Sequence, residues 1–136
     1  MGLKLAAALF CVTAGLAHAE GCAPVGGETV PEVEALNQLV VDSDFDGLSA
    51  KVGDYLGVNL GNAMLPIASV FKDGFTGCTT VAQRRDVGGL VQSMVVYHGA
   101  IGPLFGYWMS MTGPEGFALL TFEINTDLAV VTGYMK

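Results

Sequence analysis

Basic residues are scarce in this 136-residue chain. It contains six Lys and Arg against thirteen Asp and Glu, which gives a formal net charge of −7. Nucleic acids and anionic membrane surfaces are bound by clustered Lys and Arg, so neither is an expected partner. Charged residues make up only 14% of the chain and hydrophobic residues 51%. This composition predicts a folded core and excludes a disordered chain.

The sequence also lacks the short motifs that mark the commonest enzyme classes. It has no G-x-S-x-G nucleophile elbow, no H-E-x-x-H zinc motif, no P-loop and no dinucleotide-binding glycine pattern. It has no C-x-x-C pair either, which disfavours a thioredoxin-type redox centre. An enzyme of this sequence would have to use a less recognisable site.

The N-terminus has the pattern of a secretory signal peptide over residues 1–19. Lys4 supplies the positive charge, an uncharged apolar run follows from Leu5 to Leu16, and Ala17-His18-Ala19 forms an A-x-A cleavage site. We therefore expect export to a bacterial periplasm or to the extracellular space. The mature chain is expected to begin with an extended Gly- and Pro-bearing arm over residues 20–30, followed by one domain over residues 31–136.

Cleavage would leave two of the three cysteines, Cys22 and Cys78. Two thiols in an exported domain usually pair, and a single intramolecular connectivity is available. The sequence therefore predicts a Cys22–Cys78 disulfide, with free thiols or an intermolecular pair as the alternative.

Apolar periodicity changes from helical to strand-like along the mature chain. Helices are predicted from Pro31 to about Val40, from Phe45 to Leu56 and from Leu65 to Phe71. Strands are predicted over four later segments: Leu90–His98, Leu104–Thr112, Phe117–Ile124 and Leu128–Tyr134. Short connections force an antiparallel meander. The predicted class is thus α+β, with N-terminal helices packed on a C-terminal four-stranded antiparallel sheet.

One stretch, Val87–Pro114, contains no Asp, Glu, Lys or Arg and is long enough to span a membrane. Its strand-type periodicity and the polar residues Gln92 and His98 argue for two sheet strands instead. We expect no transmembrane span in the mature chain.

The segment Asp42-Ser43-Asp44-Phe45-Asp46-Gly47 begins like an EF-hand calcium loop. Asp42, Asp44 and Asp46 would supply alternate oxygen ligands. However, the twelfth position, where a bidentate Glu should close the loop, is Gly53. No cofactor is therefore expected, and the favoured interpretation is an acidic turn that caps a helix, with calcium binding as the alternative.

Two further sets of residues are candidates for a site. His98, the single histidine left after cleavage, has the chemistry of a general base, with Glu123 as an orienting acid. An aromatic set is predicted to line an apolar ligand pocket, with a place in the core or in a subunit interface as the alternatives: Tyr97, Phe105, Tyr107, Trp108 and Phe122.

The order of elements resembles that of the cystatin-like α+β domains. The segment Leu36-Asn-Gln-Leu-Val-Val-Asp-Ser-Asp-Phe-Asp-Gly-Leu48 is similar to the opening of nuclear transport factor 2-like domains. That resemblance implies a cone-shaped pocket between the sheet and the helices, frequent sheet-to-sheet homodimers, and acid or His residues inside the cone of enzymatic members. Only His98 and Glu123 can be matched to such a set, and many members are binding or accessory modules.

The sequence as a whole favours an exported, non-enzymatic binding or accessory protein. Its expected partner is an apolar small molecule or another protein, held in a pocket or on the sheet. Two alternatives stay open: a small isomerase or dehydratase that uses His98 as its base, and an envelope-associated structural protein.

Overall fold

The computed structural model of the chain describes residues 21–135, so the predicted signal peptide lies outside the described residues. Three helices come first, a four-stranded sheet follows, and a short fourth helix comes last. The elements are α1 Pro31–Val41, α2 Phe45–Leu56, α3 Leu65–Val70, β1 Phe75–Arg85, β2 Leu90–Gly99, β3 Gly102–Gly113, β4 Gly116–Asn125 and α4 Leu128–Thr132. The predicted α+β class, with helices before an antiparallel sheet, is confirmed.

Local capping fixes the boundary between α1 and α2. The backbone N–H groups of Ser43 and Asp44 donate to the carbonyls of Val40 and Leu39, which forms a Schellman motif at the end of α1. Ser43 occupies the left-handed position of that motif, with φ of 58°. The Asp44 side chain then accepts a hydrogen bond from the Gly47 N–H at 2.9 Å and caps α2.

The sheet is an antiparallel meander in the order β1-β2-β3-β4. The two central strands pair without interruption from Leu90 opposite Met111 to Gly99 opposite Gly102. The two edge strands are irregular, since the β1 register shifts twice against β2 and the β4 register shifts once against β3. Bulges of this kind increase local twist and interrupt regular pairing at sheet edges.

The predicted strand Leu128–Tyr134 is wrong, because this segment contains α4. Its Val and Leu content is typical of a strand, but the Asp127 side chain accepts a hydrogen bond from the Ala129 N–H at 2.8 Å and starts a helix. Val131 is then fully buried against the sheet. The fourth strand is instead β1, which begins in the segment after α3.

The β4 bulge also changes which side chains of that strand share a face. Met109 pairs with Thr121 and Ser110 pairs with Leu119, which leaves Leu120 without a partner between them. Alternation predicts that Leu120 and Phe122 lie on one face, but Leu119 and Phe122 belong to the same core cluster whereas Leu120 is exposed.

The sheet is covered on both faces. The large core packs between α1, α2 and one face of the sheet, and its fully buried members include Leu36, Leu48, Val52, Val95 and Trp108. On the opposite face, which we call the outer face, Val131 of α4 packs on Met94 and Tyr107. The sheet therefore has a helical layer on one side and a smaller cover on the other.

The arm, described from Gly21 to Val30, lies alongside β1. The predicted Cys22–Cys78 disulfide is confirmed, with 5.1 Å between the two Cα atoms. Further along, the Gln83 side-chain amide exchanges two hydrogen bonds of 2.8 Å with the Glu28 backbone. The arm is thus fixed at both ends to the same strand.

We predict that the double variant Cys22→Ser/Cys78→Ser loses about 4 kcal/mol of unfolding free energy, because the disulfide closes a long loop in the unfolded chain. Urea denaturation followed by circular dichroism measures this difference. Reduced wild-type protein is the control and should match the variant. Equal stability of the oxidised wild type and the variant would contradict the prediction.

Candidate functional site

A chain of buried hydrogen bonds crosses the core between the sheet and α1. Trp108 Nε1 donates to the Tyr97 hydroxyl at 3.2 Å, and that hydroxyl donates to Asn37 Oδ1 at 2.6 Å. These three residues are at most 1% exposed. Asn37 Nδ2 donates in turn to Glu34 Oε1 at 3.3 Å. Each group donates toward Glu34, so the chain of donors ends on a carboxylate.

Helix and strand periodicity bring these residues together. Asn37 follows Leu36 on the buried face of α1, between Val33 and Val40. Tyr97 on β2 is directly opposite Leu104, and Trp108 is four residues further along β3, so all three point to the same face of the sheet. Gly106 makes room for the tyrosine ring, since a Cβ atom there would lie 2.9 Å from Tyr97 Cε2.

Glu34 joins this chain to the arm. Its carboxylate also accepts hydrogen bonds from the backbone N–H groups of Cys22 and Ala23. Partial burial raises the pKa of Glu34, and the hydrogen bonds from Asn37 and the arm oppose that rise with a smaller effect. Burial also raises the pKa of Tyr97 well above its ordinary value, which keeps its hydroxyl protonated and able to donate.

The space beside this chain is small. A cavity of about 10 Å³ lies between the arm, α1 and the sheet, with Glu34, Asn37, Thr80, Gln83 and Ser93 in its lining. That volume is close to the minimum that holds one water molecule. The buried polar chain therefore orients helix and sheet and offers no room for an organic ligand.

A second hydrogen-bonded chain lies on the outer face. The Tyr107 hydroxyl donates to Gln92 Oε1 at 2.7 Å, and Gln92 Nε2 donates to Asp86 Oδ2 at 3.3 Å. Arg84 forms an ion pair with Asp86 at 3.0 Å. The Tyr134 ring stacks on Tyr107 with 5.4 Å between ring centroids. This stacking holds the C-terminal segment against the sheet.

The structure divides the predicted pocket residues between the two faces of the sheet. Tyr97, Trp108 and Phe122 belong to the core on the helical side, where Trp108 and Phe122 stack at 5.8 Å. Phe105 and Tyr107 belong to the cluster under α4. These five side chains therefore do not line one cavity.

His98 and Glu123 are not brought together. His98 is exposed, and its Nε2 lies 2.9 Å from the Thr79 hydroxyl oxygen. Glu123 accepts hydrogen bonds from Asn125 at 3.2 Å and from the Tyr134 hydroxyl at 3.3 Å. The register separates His98 and Glu123 by two strands and four positions, or about 16 Å from standard strand geometry. Glu123 cannot orient His98 across that distance.

The three predicted calcium ligands have separate roles or positions. Asp42 Oδ1 accepts a hydrogen bond from Gln38 Nε2 at 2.8 Å, Asp44 caps α2, and Asp46 lies in the first turn of that helix. Within residues 21–135, no group of three or more His, Cys, Asp and Glu side chains is arranged to hold a metal ion. The predicted helix cap is confirmed at Asp44.

Sequence analysis missed the polar residues that organise the two faces. Asn37 did carry a signal, because it interrupts the apolar stripe formed by Val33, Leu36 and Val40. A polar side chain in such a stripe needs a buried hydrogen-bonding partner. Gln92, inside the uncharged stretch, carried a similar signal.

The uncharged stretch Val87–Pro114 contains β2 and β3, and across the described part of the chain no helix has the length and apolar character needed to cross a membrane.

The chain matches no known family model, and comparisons with curated proteins and with solved structures gave no significant match.

We predict that Tyr97→Phe lowers the unfolding free energy by about 1–3 kcal/mol, because it leaves Asn37 Oδ1 and Trp108 Nε1 buried without their partner. The matched control is Tyr134→Phe, which removes an exposed hydroxyl and should change stability by less than about 0.5 kcal/mol. Urea denaturation of both variants measures the difference. Equal effects of the two substitutions would contradict a special role for the buried hydroxyl.

We predict that Glu34→Gln gains stability relative to wild type as the pH rises. The pKa of Glu34 is raised in the folded state, so ionisation costs more in the folded chain than in the unfolded chain. The wild type therefore loses stability from the unfolded pKa, about 4.3, upward through the folded value, whereas the variant has no proton to lose there.

Urea denaturation from pH 4 to pH 8 measures this effect. The control Glu32→Gln removes a charge of the same sign from the same helix and corrects for the change in net charge. Parallel stability curves for Glu34→Gln and wild type over this range would show that the prediction is wrong.

Proposed function

We propose that this chain is an exported, non-enzymatic binding protein that holds a partner protein on its exterior. The observation that carries this proposal is the filled interior. The chain's own Tyr97, Trp108 and Asn37 occupy the space between helices and sheet, beside a cavity of about 10 Å³. A small organic ligand needs a pocket of roughly 300 Å³ or more.

The apolar exterior near β4 and α4 supports a partner at that end of the molecule. Leu120, Leu128 and Val130 are each more than 40% exposed, while Val131 on the same short helix is fully buried. A helix that is apolar on both sides is normally buried on both sides. α4 contacts β4, and exposed apolar side chains on adjoining elements are typical of protein-binding surfaces.

The position of His98 supports a non-enzymatic function. A general base needs an orienting group and a substrate cavity, and the partner of the His98 ring is the Thr79 hydroxyl on an exposed part of the sheet. The isomerase or dehydratase alternative would require an acid beside this ring, and Glu123 lies far from it.

Export is supported by the disulfide. The Cys22–Cys78 bond joins the arm, directly after the predicted cleavage site, to β1. Disulfides persist in the periplasm and outside the cell, where thiols are oxidised. The predicted signal peptide and the disulfide therefore favour the same compartment.

Site-specific photo-crosslinking in the source cell tests the proposal. A benzophenone amino acid at Val130 should give a discrete protein adduct that excess unlabelled protein suppresses. The matched control is Val58, which is also about half exposed but lies on the loop after α2, and it should give little adduct. Native mass spectrometry of the gently purified mature chain should show no small-molecule adduct.

Two results would overturn the proposal. One is the absence of any competed protein adduct at Val130. The other is a small molecule that remains bound in the native mass spectrum and is released on unfolding, because the proposed ligand is a protein.

A further inference from the structure

We infer that the free edge of β4, from Thr121 to Asn125, pairs with an extended peptide segment of the partner. In this arrangement an aliphatic side chain of that segment enters the groove between α3 and β4. The inference rests on the proposed function, which it deepens by naming the chemistry of the partner. It follows from the state of the two sheet edges, the groove and the local charge.

The two sheet edges differ in what lies beside them. The β1 edge is accompanied by the arm, which is fixed to it by the disulfide, by the Thr80 hydroxyl donating to the Cys22 carbonyl, and by the Gln83–Glu28 pair. In the described sheet, β4 is the opposite edge strand and pairs with β3 alone. An edge strand presents unpaired N–H and C=O groups, which can form main-chain hydrogen bonds with an added strand.

The bulge limits where such pairing can occur on β4. Leu120 lies between the paired residues Leu119 and Thr121 and interrupts the regular strand. From Thr121 to Asn125 the strand pairs with β3 in continuous register. This regular segment has room for a peptide of about five residues, because an added strand matches the residue spacing of its neighbour.

A groove lies next to this same segment. Pro66, Ile67, Val70 and Phe71 of the α3 region form one side, and Ile124, Asn125 and Thr126 form the other. Its volume is about 240 Å³, below the usual range for drug-sized ligands. A free strand edge beside a small apolar groove is the arrangement by which added peptide strands are recognised, with side chains providing specificity.

Charge determines which peptide fits. Residues 113–127, which hold β4 and its flanking turns, contain three acids and no Lys or Arg: Glu115, Glu123 and Asp127. On the α3 side of the groove, the charges of Lys72 and Asp73 offset each other. A second acidic segment would be repelled, whereas a segment with Lys or Arg beside its aliphatic residue would be attracted. The partner segment is therefore extended, aliphatic and basic.

Amide NMR titration of the oxidised mature protein with acetyl-KVTVK-amide tests this inference. Chemical-shift changes should concentrate on residues 121–125 and on Ile67–Phe71, and intermolecular backbone NOEs should connect the peptide to β4. The acidic peptide acetyl-EVTVE-amide should bind at least about fivefold more weakly.

Two matched substitutions to an uncharged polar residue test whether the peptide binds at the groove or elsewhere on the surface. Val70 is 49% exposed and lines the groove, and Val81 is 52% exposed on the opposite edge strand. Val70→Gln should lower the affinity for acetyl-KVTVK-amide at least about fivefold. Val81→Gln should change that affinity less than about twofold. If the amide spectrum shows that Val70→Gln disturbs the fold, Val70→Thr, which keeps the branched shape, replaces it.

Three outcomes would overturn the inference. The first is that the chemical-shift changes map outside β4 and α3. The second is that the acidic and basic peptides bind with equal affinity. The third is that the Val70→Gln variant still gives the Val130 photo-adduct in source cells at wild-type yield. The third outcome contradicts this inference but not the proposed exterior-binding function. If the otherwise wild-type chain gave no competed adduct at Val130, both the proposed function and this inference would be wrong.

Discussion

The hydrogen bond from the Tyr97 hydroxyl to Asn37 is the interaction on which the packing of this protein depends. It joins α1 to β2 across 60 residues of sequence, and both residues are at most 1% exposed. Leaving either buried group without its partner would lower the unfolding free energy by about 1–3 kcal/mol, so folding strongly favours the geometry that pairs them. Rotating α1 by one residue would move Asn37 away from Tyr97 and leave both unsatisfied. The apolar core would tolerate several orientations of the helix, whereas the polar pair permits one.

The same interaction explains why the interior is closed. Trp108 donates to Tyr97, so both aromatic rings are held in the middle of the space that a ligand would need. On the far side, Glu34 connects Asn37 to the arm, which the disulfide anchors to β1. The polar chain and the disulfide therefore fix the same three layers: arm, helix and sheet. A core fixed in this way leaves the surface as the place for recognition.

The sequence predicted the elements whose ends are set locally, and missed those set by distant contacts. α2 has its expected bounds, Phe45–Leu56, because capping by Asp44 depends on residues within one helical turn. β1 was not one of the four predicted strands of the meander, because two register shifts break its alternation. The helical state of Leu128–Thr132 depends on the burial of Val131 against Met94 and Tyr107, which no local pattern reveals. For the site, Asn37 signalled a buried polar contact, but its partner could not be read from the sequence.

The carboxylates at the two edges of the sheet are hydrogen-bonded by different kinds of donor. Arg84 and Arg85 form ion pairs with Asp86 and Glu28 at the β1 edge, so positive and negative charges cancel there. On the β4 side, Glu123 is satisfied by neutral donors from Asn125 and Tyr134, and Asp127 by a backbone N–H. Neutral donors fulfil the hydrogen bonds of a carboxylate without removing its charge. Residues 113–127, which hold β4 and its flanking turns, contain these acids and no Lys or Arg, and the negative charge of such a segment favours the approach of a cationic segment over an anionic one.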